Sequence, residues 1–327
     1  MSRMVLVISE DEVLSLVSIK DAIEAVEEIT RLQGLGRAYL LPRRRIYTGS
    51  SVLHIMAAAS EDHGVSGLKA YISTRDKTNF VVLLFDNSSG ELLAMIEADA
   101  LGRLRTGAAS AVATKYLAKE SSKILGIIGS GRQARTQALG IASVLGVKEI
   151  KIYSRNPENA SRMASELREK GFNAYSVGSY EEACKADVIV TVTNSKEPFL
   201  KAEWIQEGVH INLVGSNHPS RSEAYPEVFE RASIVVTDSK EQAMIESGDL
   251  LAAVKANTIS WDRVYELWEV VLGRISRRSW EEITVFKSHG IALWDLALAS
   301  LIYRRAVSKG AGKEIPFKGY LKSLSCC

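Results

Sequence analysis

A glycine-rich turn between an apolar strand and a helix is the feature of this sequence that most constrains the fold. Residues 123–129, KILGIIG, form the near-continuous apolar run that is typical of a buried parallel strand. The segment 129–134, GSGRQA, matches the pattern G-x-G-x-x-A, and a helical pattern follows over 132–145. A second strand, KEIKIY, completes a strand–helix–strand unit. This context favours a Rossmann-type turn over an ordinary turn that contains glycine.

The residue types in this turn suit a bound pyrophosphate. Gly129 permits the tight turn, Gly131 lets the backbone approach a phosphate, and Ala134 allows the helix to pack closely on the strand. The backbone amides at the start of the helix would point at the phosphate, which the helix N-terminus also attracts. The sequence therefore predicts a dinucleotide site with contacts from Gly129, Ser130, Gly131, Arg132 and Gln133.

The end of the second strand indicates which dinucleotide binds. An acidic residue there, about 20 residues after the glycines, would bind the ribose hydroxyls of NAD. This chain has Ser154, Arg155 and Asn156 instead, with no carboxylate to repel a 2′-phosphate. Arg155 can pair with that phosphate and Ser154 can donate a hydrogen bond to it, with Arg132 as a further contact. NADP(H) is therefore favoured, whereas an Arg155 that covers the adenine or faces solvent would leave NAD(H) acceptable too.

The chain divides into two regions of different texture. Residues 40–100 contain short β-branched or aromatic runs separated by turn signals, which predicts a mostly antiparallel sheet. From residue 123 onward, strands and helices alternate as in a doubly wound parallel sheet. Further helices are predicted at 18–34, 99–117, 240–256, 261–273 and 291–309. The predicted fold class is therefore α/β, with a Rossmann domain of doubly wound parallel sheet and a strand-rich second domain.

Charge, cysteine content and hydropathy argue against several classes of protein. The formal net charge of +2 over 327 residues provides no basic field for nucleic acid. The cysteines Cys184, Cys326 and Cys327 and the five histidines show no metal-ligand spacing, so we predict no metal and no disulfide framework. The sequence shows no signal peptide and no apolar run long enough to cross a membrane. We therefore expect a cytoplasmic protein without a membrane or nucleic-acid partner.

Several segments follow one another along the chain in a specific order. They are Arg43 after a proline, Lys69 in LKAYIS, LRTGAASAVATKYLA at 104–118, GIIGSGRQARTQA at 126–138, DVIVTVT at 187–193, HINLVGSNHPSR at 210–221 and TVFKSHGIALWD at 284–295. This ordered set resembles the ornithine cyclodeaminase/mu-crystallin family. The resemblance implies an NADP(H)-binding Rossmann domain at 118–303. Residues 1–117 and 304–327 would form a substrate-binding and dimerisation domain, whose sheet packs against its copy in a homodimer. Members of the family act on small 2-amino or 2-imino acids with a nicotinamide cofactor.

A substrate with a carboxylate needs cations in its pocket, and the family match offers Arg43, Lys69 and Arg105. Alternation along a strand places Arg43 and Arg45 on one face and Arg44 on the other. An arginine there could clamp the carboxylate, whereas the simpler alternative is a solvated strand edge. Lys69 lies among apolar neighbours, where burial would lower its pKa toward a range useful for acid–base chemistry. We expect Lys69 to exchange a proton with the imine nitrogen or to contact the carboxylate. Without the resemblance, both Lys69 and Arg105 could equally face solvent.

Other site residues are expected at strand ends and in one loop. Because ligands bind at the carboxyl edge of a parallel sheet, residues that end such strands are candidates. His289 is either a site acid or a packing residue, and Asp295 either orients a pocket base or caps a turn. The remaining predicted cofactor contacts are Thr106, Thr191, Val192, Thr193, Val214, Gly215, Ser288, His289 and Gly290.

The segment 214–217, VGSN, departs from the ornithine cyclodeaminase pattern. An aspartate at its fourth position would bind the amino groups of ornithine and act on them as a base, but this chain has Asn217. A neutral amide does neither at neutral pH, so cyclodeamination of ornithine is disfavoured. His218 is adjacent and could supply acid–base function unless its side chain points elsewhere. On an earlier strand, His54 is expected to be packed or partly exposed, and Met56 to form pocket wall or core.

The predicted function is hydride transfer between NADPH and C2 of a small 2-imino acid, or the reverse reaction from a 2-amino acid. The imine is either cyclic or formed from a 2-keto acid and ammonia. Two alternatives are a cyclodeaminase, which would use tightly bound NAD catalytically, and a cofactor-binding protein without activity. Asn217 and Arg155 weigh against the first alternative. The three pocket cations weigh against the second, and one fold serves all three.

Overall fold

The computed structural model describes residues 3–317, which form two β-sheets flanked by helices. The helices are α1 (Glu10–Leu16), α2 (Ile19–Gly34), α3 (Asp99–Leu117), α4 (Arg132–Val144), α5 (Pro157–Glu169), α6 (Tyr180–Cys184), α7 (Pro226–Arg231), α8 (Lys240–Glu246), α9 (Gly248–Lys255), α10 (Leu267–Val271) and α11 (Ala292–Lys309). Short 3-10 helices span Ala202–Trp204 and Trp261–Arg263. The strands are β1 (Arg3–Ile8), β2 (Ala38–Tyr47), β3 (Ser51–Ser60), β4 (Val65–Thr74), β5 (Thr78–Asp86), β6 (Leu92–Glu97), β7 (Ile124–Ile128), β8 (Glu149–Tyr153), β9 (Ala174–Ser176), β10 (Val188–Thr191), β11 (His210–Leu213), β12 (Ile234–Thr237), β13 (Val264–Glu266), β14 (Thr284–Lys287) and β15 (Lys313–Phe317).

The first sheet has seven strands in the order β15-β1-β6-β5-β4-β3-β2. Strands β2 to β6 pair antiparallel with their neighbours along the chain, as the strand-rich sequence of 40–100 predicts. Helix α11 lies on one face of this sheet, and α2 and α3 pack against α11. The indole of Trp294 on α11 donates to the hydroxyl of Thr30 on α2 across 3.1 Å, so this buried polar group keeps a partner inside the core.

The second sheet has eight strands, all paired in parallel, in the order β13-β12-β14-β11-β10-β7-β8-β9. The chain runs from β7 to β9 in one direction and then continues from β10 in the other, so the strand order reverses between β7 and β10. Open parallel sheets bind their ligands in the crevice at such a reversal, beyond the carboxyl ends of the strands. The predicted combination of a doubly wound sheet and a strand-rich second unit is confirmed.

Helix α3 joins the two units because small residues let α4 approach its backbone. A Cβ atom at Gly107 would collide with the carbonyl oxygen of Thr136, and one at Gly140 would lie only 2.6 Å from the carbonyl oxygen of Gly107. Either substitution would push the helices apart. Helix α3 is buried over most of its length and packs on elements of both units. Arg105, which lies on this helix, is therefore held between the two sheets.

Two predicted helices are broken by local turn chemistry. The helix predicted at 240–256 is interrupted at Ser247, whose hydroxyl begins α9 by accepting a hydrogen bond from the Leu250 amide at 3.3 Å. The segment 261–273 forms a 3-10 turn, the strand β13 and the short helix α10 instead of one helix. Helix α1 was not predicted, although Ser9 and Glu12 form a capping box at its start.

The packing of α11 bears on the boundary between the two units. The boundary predicted between residues 303 and 304 falls inside this helix, which packs on the first sheet and on α2. We therefore propose that the chain returns to the first unit where α11 begins, at Ala292. Strand β15 then pairs with β1 at the edge of that sheet. Cys326 and Cys327 lie outside the described residues.

Within residues 3–317, no helix has the length and apolar character needed to span a membrane. The same residues contain no group of three or more His, Cys, Asp or Glu side chains placed to hold a metal ion. Cys184 is a buried free thiol, and burial raises its pKa to about 12. This thiol therefore stays protonated and unreactive at neutral pH.

The tight contact of β7 with α6 gives a test of the packing. A Cβ atom at Gly126 would collide with the carbonyl oxygen of Ala183, so Gly126→Ala is expected to lower the free energy of unfolding by about 1–3 kcal/mol. Denaturant unfolding followed by circular dichroism measures this change. Gly146→Ala is the control, because its added methyl meets only the flexible ammonium of Lys123, at 3.1 Å. Equal stabilities of the two variants would contradict this packing.

Candidate active site

A groove of about 480 Å³ lies beyond the carboxyl ends of β7, β8 and β10, where the strand order reverses. Much of its wall comes from the residues predicted to bind a cofactor. These are Gly129, Ser130, Gly131, Arg132, Gln133, Ser154, Arg155, Val192, Thr193, Val214 and Gly215. The rest of the wall is partly aromatic, and Tyr180 stacks on Phe199 with ring centroids 4.8 Å apart. The groove therefore offers both a polar and an aromatic surface.

The glycine turn has the shape that a pyrophosphate requires. Gly129 has φ +121°, and a Cβ atom there would collide with the carbonyl oxygen of Val192. Gly131 begins α4 without a side-chain cap, and a Cβ atom built on it would meet nothing within 4 Å. Open space therefore lies in front of the uncapped amides of a helix N-terminus, which is a favourable place for phosphate. The groove thus fits a dinucleotide.

Two predicted cofactor contacts point away from this groove. The side-chain oxygen of Asn156 caps α5 by accepting from the Glu158 amide at 2.9 Å. The hydroxyl of Thr191 is buried and donates to Glu223 at 2.8 Å. Neither side chain lines the groove, because each already serves a local partner. Ser154 remains at the groove and accepts a hydrogen bond from Ser130 at 2.9 Å.

A second cavity of about 330 Å³ adjoins the groove, and Gln133, Val214 and Gly215 line both. Its other walls come from the first sheet and from α3. They include the predicted residues Arg43, His54, Lys69, Arg105, Thr106, Asn217, Ser288, His289 and Gly290. Thr106 and the loop 288–290, predicted as cofactor contacts, thus lie at this cavity rather than at the groove. The two spaces together bring the predicted pocket cations next to the glycine turn.

Strand alternation aims one row of side chains at this second cavity. The cross-strand partners His54 and Tyr71, Met56 and Lys69, and Tyr71 and Phe80 lie on the same face of β3, β4 and β5. The rings of His54 and Tyr71 stack 4.1 Å apart, and burial is the main reason why the pKa of His54 falls to about 4. His54 is therefore a neutral, packed wall residue at neutral pH.

A β-bulge turns Arg43 toward the same cavity. The register of β2 with β3 shifts between Leu41 and Arg44, so Pro42 and Arg43 together oppose Met56. Pro42 has no amide hydrogen and cannot continue the ladder at this point. As a result Arg43 is 2% exposed, whereas Arg44 faces solvent. The alternative of a solvated strand edge is wrong for Arg43.

A buried carboxylate, Glu246 on α8, holds Arg43 and Arg45 together. Arg43 forms an ion pair with one of its oxygens, and Arg45 reaches the other at 2.6 Å. The second terminal nitrogen of Arg43 donates to the carbonyl oxygens of His289 and Gly290 at 3.0 and 2.9 Å. The two arginines thus share one face of β2, as strand alternation predicts.

A second carboxylate, Asp295 on α11, holds the other two predicted cations. Its Oδ1 accepts from Lys69 Nζ at 2.8 Å and from Arg105 Nε at 3.1 Å. Gly102 leaves room for this arrangement, since a Cβ atom there would lie 3.0 Å from Lys69 Nζ. Burial lowers the pKa of Lys69 to about 8, with Asp295 opposing and Arg105 adding to the shift. Burial alone would raise the pKa of Asp295, but Arg105 and Lys69 hold it below its usual value.

Several buried polar atoms at the cavity have no hydrogen-bond partner among the described residues. They are Arg43 Nε, His54 Nδ1, Arg105 Nη1, Gln133 Oε1 and His289 Nε2 on lining residues, and Asp295 Oδ2 behind Lys69 and Arg105. Buried donors and acceptors normally find partners, so each such atom calls for an explanation. A polar ligand would supply the missing partners, and the two guanidinium donors suit an anion.

The histidines predicted near the site have different surroundings. His218 does not line the cavity, and its Nδ1 lies 2.8 Å from the hydroxyl of Ser220. The ring of His289 is fully buried against Asp238, with Nδ1 3.0 Å from a carboxylate oxygen. Asn217 is exposed at the cavity wall, and its backbone carbonyl accepts from Arg45 at 2.8 Å. His218 and His289 therefore have side-chain partners, whereas the contact found for Asn217 among the described residues is made by its backbone.

The sequence did not reveal the buried acidic residues that hold this site. Glu246, Asp238 and Glu223 are all buried and contact site residues that are distant in the chain. No motif marks them, because their partners become neighbours only through folding. The sequence offered one signal, which is Asp238, an acidic residue directly after the apolar strand β12.

A dinucleotide-type groove beside a cation-lined cavity, at the edge of a doubly wound sheet, defines the class of Rossmann-fold oxidoreductases. The chain belongs to the ornithine cyclodeaminase/mu-crystallin family, because the model of that family matches residues 3–310.

Several similar proteins align with nearly the whole chain. The alanine dehydrogenase of Archaeoglobus fulgidus is 37% identical over 321 residues, which are 95% of this chain and 98% of the relative. A solved archaeal alanine dehydrogenase dimer with bound NAD has a TM-score of 0.92 at 36% identity and covers 97% of this chain and 100% of that one. The Thermococcus litoralis Delta(1)-pyrroline-2-carboxylate reductase, solved with NADH and L-proline, has a TM-score of 0.91 at 35% identity and covers 95% and 100% of the two chains.

The Lys69–Asp295 pair gives a test of the site's electrostatics. Asp295→Asn removes the charge that supports the protonated lysine, so the pKa of Lys69 is expected to fall below its value of about 8. Reductive ¹³C-methylation followed by an NMR titration of the lysine signals measures this pKa. Lys115, an exposed lysine of α3 paired with Glu27, serves as an internal reference. A Lys69 signal that titrates unchanged in the variant would contradict the ion pair.

Proposed function

We propose that this protein is an NADP(H)-dependent oxidoreductase that transfers hydride at C2 of a small 2-imino acid, or of the corresponding 2-amino acid. The observation that carries this proposal is the pair of cations held by one carboxylate, Lys69 and Arg105 on Asp295, beside the dinucleotide groove. A nicotinamide cofactor bound in the groove supplies or accepts the hydride. The relatives named above support the kind of reaction.

The charge of the cavity suits a carboxylate. Lys69 and Arg105 share the single carboxylate of Asp295, which leaves one positive charge in excess. An excess charge in a buried site is costly unless an ion of opposite sign binds there. Arg105 Nη1 and Arg43 Nε are buried donors without a partner among the described residues. We infer that the substrate carboxylate binds these donors, which would fix C2 toward the groove.

Lys69 is the group that we assign to proton transfer. It is 3% exposed and lines the cavity with its pKa lowered to about 8. A general acid works best when its pKa lies near the working pH. At neutral pH most of the lysine carries its proton, which it can donate to the nitrogen of the substrate as C2 is reduced. In the reverse direction the neutral amine accepts that proton.

The acidic residues around the cavity do not suit a second substrate ammonium. Among the described lining residues the one acid is Asp99, and it already pairs with Arg103 and Arg132 at 3.2 and 2.7 Å. Asn217 offers a neutral amide where cyclodeamination of ornithine would need a base. A substrate with a neutral side chain is therefore favoured over ornithine.

The groove supports NADP(H) over NAD(H). No acidic residue lies among its described lining residues, and Arg155 is exposed at the end of β8. A 2′-phosphate would meet this guanidinium and the hydroxyl of Ser154 without repulsion. The two related structures contain NAD and NADH, so this preference is proposed for the present chain on its own residues.

A homodimer is proposed from the outer face of the first sheet. Strand pairing places a row of apolar side chains on the face opposite the cavity. They are exposed in the single chain, as Leu41 at 66%, Ile46 at 58%, and Ile55 and Ile72 at 40% each. An apolar patch of this kind marks an interaction surface. The related archaeal alanine dehydrogenase is a dimer.

The activity is tested by following NADPH absorbance with three substrate sets. Cyclic pyrroline- and piperideine-type carboxylates form one set, pyruvate with ammonium the second, and ornithine, assayed for proline, the third. NADPH oxidation is expected with an imino acid, and its rate should decline as the pH rises through about 8, because Lys69 then loses its proton. Lys69→Met is expected to lower kcat about a hundredfold or more.

Lys115→Met is the matched control, because it removes a lysine of α3 that pairs with Glu27 at the surface. Its rate should equal that of the unmodified protein. Proline formation from ornithine without NADPH oxidation would refute the reductase assignment. An unchanged rate in Lys69→Met would refute the role given to Lys69.

Cofactor preference is tested with Arg155→Ala. Losing a charge-assisted hydrogen bond to the 2′-phosphate is expected to reduce kcat/KM for NADPH about 10- to 100-fold. The value for NADH should change less than about twofold, because NADH lacks that phosphate. Arg162→Ala is the control, since this exposed arginine lies on α5 and outside the groove. Equal losses with both cofactors would show that Arg155 does not read the phosphate.

A further inference from the structure

A buried carboxylate lies directly behind the wall that the groove and the cavity share. Glu223 is 0% exposed and belongs to the segment between β11 and α7. Its Oε1 accepts from the amide and the hydroxyl of Thr193 at 2.8 Å each. Its Oε2 accepts from the hydroxyl of Thr191 and the amide of Gly215 at 2.8 Å each. One side chain thus binds the segments that follow β10 and β11.

The two segments approach each other as closely as the backbone allows. A Cβ atom on Gly215 would collide with the backbone of Thr193 and with the carboxylate of Glu223. Each oxygen of Glu223 serves one backbone amide and one hydroxyl. The carboxylate therefore sets the separation of the two chain segments, and a shift of either would leave a buried donor without an acceptor.

A second layer of charge holds Glu223 itself in place. Asp249, at the start of α9, accepts from the amides of Glu223 and Ala224 at 2.7 and 3.0 Å. Lys287 forms a buried ion pair with Asp249 at 2.9 Å and donates to the carbonyl oxygen of Ser216 at 2.8 Å. These contacts connect the ends of β11 and β14 with α9. Asp249 and Lys287 thus fix the position of Glu223. Glu223 in turn binds Thr193 and Gly215 at the wall of the groove.

A cofactor that reached from the groove to a substrate in the cavity would pass Thr193 and Gly215. Thr193 lines the groove, and Gly215 lines both the groove and the cavity. We propose that Glu223 is a positioning residue that fixes the wall on which the nicotinamide half of the cofactor rests. The inference rests on the proposed function for the identity of the cofactor. Glu223 itself touches neither space and acts through the two segments.

The test is Glu223→Gln, compared in binding with and without the nicotinamide. In glutamine one acceptor oxygen becomes an NH₂ group, which cannot accept from the backbone amide that it faces. The hydroxyls of Thr191 and Thr193 can rotate, but the amide of either Thr193 or Gly215 must lose its acceptor. The segment concerned then moves.

The dissociation constants of NADPH and NADH are expected to rise about tenfold, as measured by fluorescence titration. Those of 2′-phospho-ADP-ribose and ADP-ribose, which lack the nicotinamide, should change less than about twofold. Thr191→Val removes one of the four hydrogen bonds and serves if Glu223→Gln does not fold. A smaller change in the same direction, about threefold for the complete cofactors, is expected for it.

Asp187→Asn is the matched control. Its carboxylate also binds backbone amides, those of Lys123 and Ile124 at 2.7 and 2.9 Å, but at the opposite edge of the sheet. Thermal unfolding measures the loss of stability in each variant. Asp187→Asn should leave the dissociation constants of the complete cofactors and of the fragments unchanged. If Glu223→Gln weakens the complete cofactors and the fragments by the same factor, or weakens neither, the positioning role is refuted.

The two proposals fail in different ways. A protein that oxidises NADPH with none of the imino acids refutes the proposed function, while the contrast between complete cofactors and fragments can still be measured. Conversely, an active protein whose Glu223→Gln variant binds NADPH normally refutes the positioning role alone.

Discussion

The site depends on Asp295, one buried carboxylate that binds two cations from different elements. Lys69 comes from β4, Arg105 from α3 and Asp295 from α11, so the ion cluster forms only when all three elements are packed together. Removing Asp295 would leave two buried cations without their counter-charge, which is more costly than never having buried the cluster. The cluster therefore couples the integrity of the first unit to the charge that the cavity presents.

Close backbone contacts, rather than large side chains, keep the groove and the cavity next to each other. Gly107 and Gly140 bring α3 and α4 together, and Gly129 lies against the carbonyl oxygen of Val192. At each place the absence of a Cβ atom allows an approach that any other residue would prevent. Buried carboxylates then complete the arrangement, since Glu246 holds the arginines of β2 from α8 in the other unit. The position of the cavity next to the groove is thus fixed on both sides.

Sequence patterns predicted the parts of this molecule that depend on local periodicity. The apolar run of β7 and the glycines at 129 and 131 predicted a strand and a turn, which in the structure line the groove. The alternation of Arg43, Arg44 and Arg45 predicted the faces on which they lie. Glu223 and Glu246 were not predicted, because Thr193 and Arg43, which they bind, lie 30 and 203 residues away in the chain. The break in the helix at Ser247 was not predicted, because the helical periodicity of 240–256 continues through it. The hydroxyl of Ser247 nevertheless caps a new helix there. Periodicity reports which face is apolar, but it does not report which distant polar groups meet.

The bulge at Pro42 and Arg43 changes which side chains of β2 face the cavity and which face outward. Before the bulge, Leu41 faces outward, and after it the outward positions are Arg44 and Ile46. One extra residue thus exchanges odd for even positions, so the strand turns Arg43 to the interior while Leu41 and Ile46 both stay on the outer face. Two related chains that differ by a single residue here would align in every flanking position and still present different side chains to the cavity. In this strand the number of residues, and not only their identity, decides which side chains reach the cavity.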